Sequence, residues 1–304
     1  MTFPIEATER FIRINGAAGE AFLAALPGKV GKYAAEWGLS DVNYFTHSAN
    51  IIFTCRSERY GNVVLKAAFP DELLWQEAFA LKFYAEKGLS CRLYEYSQED
   101  GLMLIERMDP GIPLHAAESD PIKRAEVFVN LYKDYHLPFD GEGQPTVGEL
   151  VSAFSEKLDN DSHFCKYSAV RDEIYKNISA GYNKKCLLHG DLNQANILSH
   201  GGSYKAIDPH GFIGDPVFDI PRYLLSELSD SVKEARDFNK AVVSHIAGAL
   251  GLPESLLYAL LMLDVIQIMG FHLGNPMTDN KRAFHIKRCA AAYSLYEENK
   301  AGDF

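Results

Sequence analysis

Asn50-Ile51-Ile52-Phe53-Thr54-Cys55 and Asn62-Val63-Val64-Leu65-Lys66-Ala67 are two short apolar runs, separated by a charged turn that ends in Tyr60-Gly61-Asn62. That is the pattern of a β-hairpin. From residue 71 to 87 the apolar positions recur at helical spacing, and Gly88 supplies the stop. Residues 92–96 and 102–106 read as two further strands around the turn Gln98-Glu99-Asp100-Gly101. Proline and glycine in Met108-Asp109-Pro110-Gly111-Ile112-Pro113 then mark a connector. Beyond it the pattern is mostly helical, including residues 256–273 and 282–298, and is interrupted by short apolar strands at 185–188, 197–198 and 204–207. The predicted organisation is α+β in two lobes. A small sheet lobe with one helix covers residues 1–107, a hinge 108–113, and a larger mainly helical lobe 114–304. No internal repeat or low-complexity tract interrupts this plan.

With 304 residues, 47% of them hydrophobic, the chain has material for a large core in one large or two modest domains. Its five cysteines, Cys55, Cys91, Cys165, Cys186 and Cys289, are scattered, odd in number and without paired metal-ligand spacing, which points to a reducing cytosol. Met1-Thr2-Phe3-Pro4-Ile5-Glu6 lacks a basic region followed by an apolar run. No stretch reads as long and apolar enough to span a bilayer, so a cytoplasmic chain without a membrane partner is expected. The net charge of -11 argues against a nucleic-acid surface and is compatible with a cationic small substrate. Nothing in the pattern specifies an oligomeric state.

The richest chemistry lies in Leu187-Leu188-His189-Gly190-Asp191-Leu192-Asn193-Gln194-Ala195-Asn196-Ile197-Leu198, followed by Lys205-Ala206-Ile207-Asp208-Pro209-His210-Gly211. An Asp, an Asn five positions on and a second Asp after one more hairpin are what metal-dependent phosphoryl transfer from ATP requires. One carboxylate orients the acceptor hydroxyl and takes its proton, while an amide oxygen and a second carboxylate hold magnesium on the triphosphate. Asp191 takes the first role; Asn196 and Asp208 take the second.

Lys66 ends an apolar run, so its ammonium emerges from a sheet. Alone it would be a strand-end lysine reaching for water; with the downstream loop it becomes the residue that neutralises nucleotide phosphates and pairs with a Glu on the following helix. Of Glu72 and Glu77, Glu77 shares a helix face with Leu73, Leu74, Ala80 and Leu81, whereas Glu72 aligns with Gln76. Glu77 is the expected partner. Thr46-His47-Ser48-Ala49-Asn50 would lie over the phosphates; without a glycine, such a cradle relies on small residues and on the polar groups of Ser48 and Asn50. Backbone groups between Glu106 and Met108 would read adenine, with Ile105 against the ring.

Asp215 before Pro216 has the form of a helix start, Asp as N-cap and Pro at the first position. Asp219, one turn further among apolar neighbours, is placed to brace the catalytic loop by accepting backbone N–H bonds, with His189 as a supporting residue behind the loop. The short interval from Asp208 to this helix leaves no room for the activation segment of a protein kinase, and Gly190 stands where many protein kinases carry an Arg that contacts a phosphorylated loop. A small-molecule acceptor is therefore expected. Asp264, inside a strongly apolar helix, is either paired structurally or facing a polar or cationic substrate. His272 and His285 read as surface or structural residues, and Lys281, Arg282, Lys287 and Arg288 as a solvated face.

With these residues in view, the chain resembles the aminoglycoside phosphotransferase family of small-molecule kinases, and within it the streptomycin and hydroxyurea kinase branch. In that branch an Ile-Asp-Pro-x-Gly-x-x-Gly-Asp-Pro run follows the catalytic loop, and Ile207-Asp208-Pro209-His210-Gly211-Phe212-Ile213-Gly214-Asp215-Pro216 fits it. A looser likeness through Val64-Leu65-Lys66, the Glu77 helix and Leu104-Ile105-Glu106-Arg107-Met108-Asp109-Pro110-Gly111 extends the resemblance over most of residues 45–230. It implies a protein-kinase-like two-lobed fold with a small antiparallel-sheet N-lobe. It also implies Asp191 as catalytic base, Asn196 and Asp208 on magnesium, Lys66 on the phosphates of ATP, and an aminoglycoside-like antibiotic or related small compound as acceptor. A hydroxylated metabolite is the alternative acceptor. A nucleotide-binding module without turnover is the alternative from another class, and the intact set of Lys66, Asp191, Asn196 and Asp208 speaks against it. The family commonly has His where this chain has Asn193 and Lys where it has His210. Neither change removes a metal ligand; both bear on the acceptor, and His210 is expected near its pocket.

Overall fold

The computed structural model describes residues 3–47, 49–228, 232–274 and 277–300, without the side chains of Glu86 and of residues 232–239. It divides into two compact units, residues 1–111 with 199–207, and residues 112–198 with 208–304.

The first unit opens with helix α1 (Ile5–Glu36), broken at Gly16, whose φ of 61° leaves the helical region. Strands β1 (Leu39–His47), β2 (Ile51–Ser57) and β3 (Gly61–Ala67) follow, then α2 (Glu72–Tyr84), β4 (Leu93–Ser97) and β5 (Leu102–Glu106). The five strands form one sheet in the order β1-β2-β3-β5-β4, with every neighbouring pair antiparallel. Side chains alternate across it. Ile51, Phe53, Val63, Leu65, Leu102 and Leu104 join Phe11, Phe22, Leu26 and Val30 of α1 in the core of this unit. The β2–β3 hairpin, the β4–β5 pair and α2 stand where the sequence places them. Asp71 caps α2 by accepting from the N–H groups of Leu73 and Leu74, and Gly88 closes the following turn at φ 68°.

Three expectations are corrected here. The N-terminal third has two helices instead of one, because α1 is needed to cover the sheet face that α2 leaves open. The α2 face is rotated: Leu73 is 60% exposed and Gln76 only 4%, although Glu77 is buried as expected. The lobe boundary also differs, since residues 199–207 return to the first unit. Backbone bonds hold them there, Gly201 N to Asp109 O at 3.1 Å, Ala206 N to Leu89 O at 2.8 Å and Cys91 N to Ala206 O at 3.0 Å. Strands β6 (Pro110–Pro113), β9 (Ile197–His200) and β10 (Ser203–Ala206) make a three-stranded sheet, in the order β10-β9-β6.

The second unit is mainly helical. It contains α3 (Leu114–Ala117), α4 (Pro121–Tyr135), α5 (Val147–Ser152), α6 (Ser155–Asp159), α7 (Ser168–Gly181), α8 (Ile220–Leu225), α9 (Val232–Leu250), α10 (Glu254–Leu273) and α11 (Asp279–Asn299). A small antiparallel sheet of β7 (Leu137–Pro138), β8 (Cys186–Leu188) and β11 (Phe212–Gly214) lies among them, with β8 in the middle. Helix α10 is 20 residues long with a hydropathy of 1.8, long and apolar enough to cross a membrane. The sequence reading expected no such stretch. Its composition has another origin here: α10 packs against α6, α7, α8, α9 and α11, so apolar residues are required on nearly every face. The basic residues of α11 are not all solvated either. Arg282 Nη2 reaches Asp161 at 2.7 Å, and Arg288 Nη2 donates to Leu225 O at 3.2 Å.

Candidate active site

In the first unit, Lys66 sits on the sheet face opposite Leu65. Its Nζ is 2.7 Å from both oxygens of Glu77, and the two residues are 2% and 8% exposed. A buried ammonium needs such a partner, and the pair fixes Nζ in space. Asn50 lies in the turn between β1 and β2; Ser48, the other residue expected over the phosphates, lies outside the described residues. Glu106 departs from its expected part. Its N–H donates to Arg92 O at 2.8 Å and is therefore committed, while its carboxylate takes Lys205 Nζ at 2.9 Å and Arg92 N–H at 3.2 Å. Glu106 thus ties residues 199–207 into this unit. Met108 is buried at 6% exposure.

In the second unit, β8 delivers the chain into the loop at His189. Asp219, fully buried, accepts the N–H groups of His189 at 2.8 Å and Gly190 at 2.7 Å, and His136 Nε2 lies 2.8 Å from the same carboxylate. Burial acts to raise its carboxyl, but the hydrogen bond and charge of His136, with the charge of His189 and the Gly190 N–H, hold it below the usual range. This is the brace expected of Asp219. Gly190 has φ 78°, and a Cβ there would come within 2.5 Å of the Phe212 ring, so the loop requires glycine on both counts. Asp215 is the expected cap: it accepts from Val217 N–H at 3.2 Å and also holds Lys184 N–H at 3.0 Å.

Asn196 Nδ2 donates to the Asp191 carboxylate and to the Asp191 carbonyl, each at 2.9 Å. The amide is thereby oriented, leaving its oxygen as the group for a cation. Asp191 N–H donates to His189 Nδ1 at 3.2 Å, which makes Nδ1 an acceptor and places the ring proton on Nε2. Asp208 has φ 58°, a left-handed conformation that Asp tolerates better than most residues and that recurs at functional sites. On α8, Arg222 spans two carboxylates, with Nε 3.4 Å from Asp191 and Nη2 3.1 Å from Asp264. Burial pushes the Asp264 carboxyl above its usual range; Arg222 opposes the shift and Asp191 adds to it. Arg222, Asp264 and Gly190 line a cavity of about 40 Å³. His210 does not line it: the residue is exposed and its ring stands edge-on to Phe212.

Residues 39–263 match the family described as aminoglycoside/hydroxyurea antibiotic resistance kinase. The chain belongs to this family. Among its relatives, a hydroxyurea phosphotransferase of Kitasatospora aureofaciens is 29% identical over 227 residues, covering 71% of this chain and 66% of the relative, just under two thirds of its length. A streptomycin 6-kinase of Streptomyces griseus is 26% identical over 71% of this chain and 72% of its own. Solved structures establish the protein-kinase-like two-lobed fold. A choline kinase from Streptococcus pneumoniae superposes with a TM-score of 0.67 at 13% identity, covering 90% of this chain and 99% of that one. An aminoglycoside phosphotransferase in ternary complex with ADP and hygromycin B gives 0.59 at 13% identity, covering 90% and 99%.

In this aminoglycoside/hydroxyurea kinase, Asn193 has a structural task that replaces nothing catalytic: its Oδ1 caps the turn leading to Asn196, accepting from Ala195 N–H at 2.8 Å and Asn196 N–H at 3.2 Å. Sequence reasoning missed His136 and Arg222, and also the buried pair of Arg124 Nη2 with Glu227 at 2.8 Å, to which Gln194 Nε2 donates at 2.5 Å. For Arg222 a signal existed. An arginine inside Ile220-Pro221-Arg222-Tyr223-Leu224-Leu225 requires carboxylates nearby, and Asp264 was itself seeking a partner.

Proposed function

We propose that this chain is an ATP- and magnesium-dependent kinase that transfers the γ-phosphoryl group to a hydroxyl of a small compound, with aminoglycoside-like or hydroxyurea-like acceptors as the favoured class. The observation that carries the reading is Asp191 joined to Asn196 on a loop whose backbone is fastened by Asp219. Asp191 presents its carboxylate to the acceptor hydroxyl and accepts the proton as the oxygen attacks. Lys66, immobilised by Glu77, neutralises phosphate charge. Family membership and the printed activities of the relatives support the acceptor class.

The fit of magnesium rests on the chemistry of the donors. Asn196 Oδ1 and the Asp208 carboxylate are hard oxygen ligands, and among the described residues no group of three or more His, Cys, Asp or Glu could hold a metal unaided. Magnesium suits such a site, since it is commonly held by one or two protein oxygens together with substrate phosphates and water. When bound it supplies charge neutralisation on the phosphates.

The test is ATP consumption by purified protein with magnesium against hydroxyurea, streptomycin, other aminoglycosides, choline and amino sugars. The expected result is a compound-dependent rate that Asp191→Asn abolishes. Full turnover by Asp191→Asn would remove Asp191 as the base, and a rate confined to choline or an amino sugar would replace the antibiotic class with a metabolite.

A further inference from the structure

The cavity beside Arg222 contains polar atoms that the fold leaves unanswered. Its walls are apolar, drawn from α5, α10, Leu188 and Phe212, and three polar side chains, Arg222, Asp264 and Gln267, break them. Gln267 is 6% exposed. Its Nε2 donates to Val151 O at 3.3 Å, which fixes the amide, and its Oε1 is buried with no hydrogen-bond partner among the described residues. Asp264 uses Oδ1 for Arg222, while Oδ2 is likewise buried and unpartnered. Buried polar atoms are rarely left so, because each costs about 1–3 kcal/mol. Both of these atoms are acceptors, so what completes the cavity is a donor.

Size narrows the occupant. A volume of about 40 Å³ corresponds to roughly three water positions, the space of a planar group of three or four heavy atoms. Position assigns its role. Arg222 links Asp264 to Asp191, and Gly190 of the catalytic loop lines the same cavity, so an occupant here lies one residue from the proposed base.

We propose that this cavity is the subsite for a compact planar N–H donor group of the acceptor, urea or guanidinium in type, read by Gln267 Oε1 and Asp264 Oδ2. The proposal rests on the kinase reading for its role but not for its chemistry: such a group binds whether or not transfer follows. Two N–H groups on one planar carbon point along divergent directions and satisfy both acceptors together, whereas a hydroxyl offers one proton. The apolar walls exclude water from the pair and strengthen both bonds.

Titration calorimetry without ATP tests this on the full chain, with N-methylurea and methylguanidinium as probes and tetramethylurea, which lacks N–H groups, as control. Saturable binding of either probe, weakened about tenfold or more by Gln267→Leu and absent for tetramethylurea, is the expected result; which probe binds decides between the neutral and the cationic group. Gln267→Leu keeps the wall filled and removes an orphaned oxygen, so its melting temperature is expected to equal or exceed that of the parent. Should it not fold, the isosteric Asp264→Asn carries the same comparison. No saturable binding of either probe, equal binding of tetramethylurea, or binding indifferent to both substitutions overturns the proposal. Because ATP is absent, these outcomes stand apart from any failure of the kinase assay.

Discussion

Asp191 is held from two sides, by the Asn196 amide at 2.9 Å and the Arg222 guanidinium at 3.4 Å. Replacing it with Asn keeps the shape and removes the proton acceptor. Phosphoryl transfer is expected to fall by at least about 100-fold, within the usual range for a lost general base, while ATP still raises the melting temperature; a thermal-shift titration beside the rate assay separates the two. A second residue-scale effect concerns pH. Burial first, and then the charges of His272, Lys281 and Arg288, press the His285 imidazole down to about 4. His285 is therefore neutral in the fold and takes up a proton on unfolding at any pH between about 4 and its ordinary value near 6.5. Stability from this residue is fully present above about pH 6.5 and is lost as pH falls toward 4, by roughly 3 kcal/mol in all. Denaturant midpoints measured from pH 7 to 4 are expected to fall less steeply in His285→Gln than in the parent.

At the scale of elements, the loop from His189 to Asn196 is positioned by groups distant in sequence. Asp219 holds its backbone, Glu227 holds Gln194, and Asp215 fastens Lys184 just ahead of β8. Asp215→Ala removes both the cap on Val217 and the Lys184 bond, and is expected to destabilise the protein by about 1–3 kcal/mol. Equilibrium unfolding checks this, with ATP affinity expected to be unchanged. Much of this scale was readable in advance. The β2–β3 hairpin, α2 with its Asp71 cap, the Asp215 cap and the Asp219 brace each carry local signals. Helix α1 and the burial of Gln76 were not readable, since both depend on which sheet face another element covers. Glu106 was misassigned for the same reason: that its N–H and carboxylate answer Arg92 and Lys205 emerges only when residues 199–207 fold back.

For the whole molecule, burial decides reactivity. All five cysteines are free, Cys165 is exposed and the other four are buried, with burial pushing Cys55 up to about 11 and Cys289 up to about 12. A thiol reagent at neutral pH is expected to modify one cysteine rapidly in the native protein and all five after denaturation, which intact-mass spectrometry counts directly. The apolar α10 follows the same rule, its composition expressing a position at the centre of a helical unit.

The sequence by itself determined the fold class, the family and the identities of Lys66, Glu77, Asp191, Asn196 and Asp208, because phosphoryl transfer demands particular groups at nearly fixed spacing and short-range capping and turn chemistry declare themselves locally. The tertiary structure alone decided that Arg222 joins Asp191 to Asp264, that His136 supports Asp219, that residues 199–207 return to the first unit, and that His210 stands away from the cavity that Gln267 lines. These are pairings between groups tens of residues apart, such as Arg222 with Asp264. Charge and burial require that each buried polar group find a partner, but only the packed chain settles which one it meets.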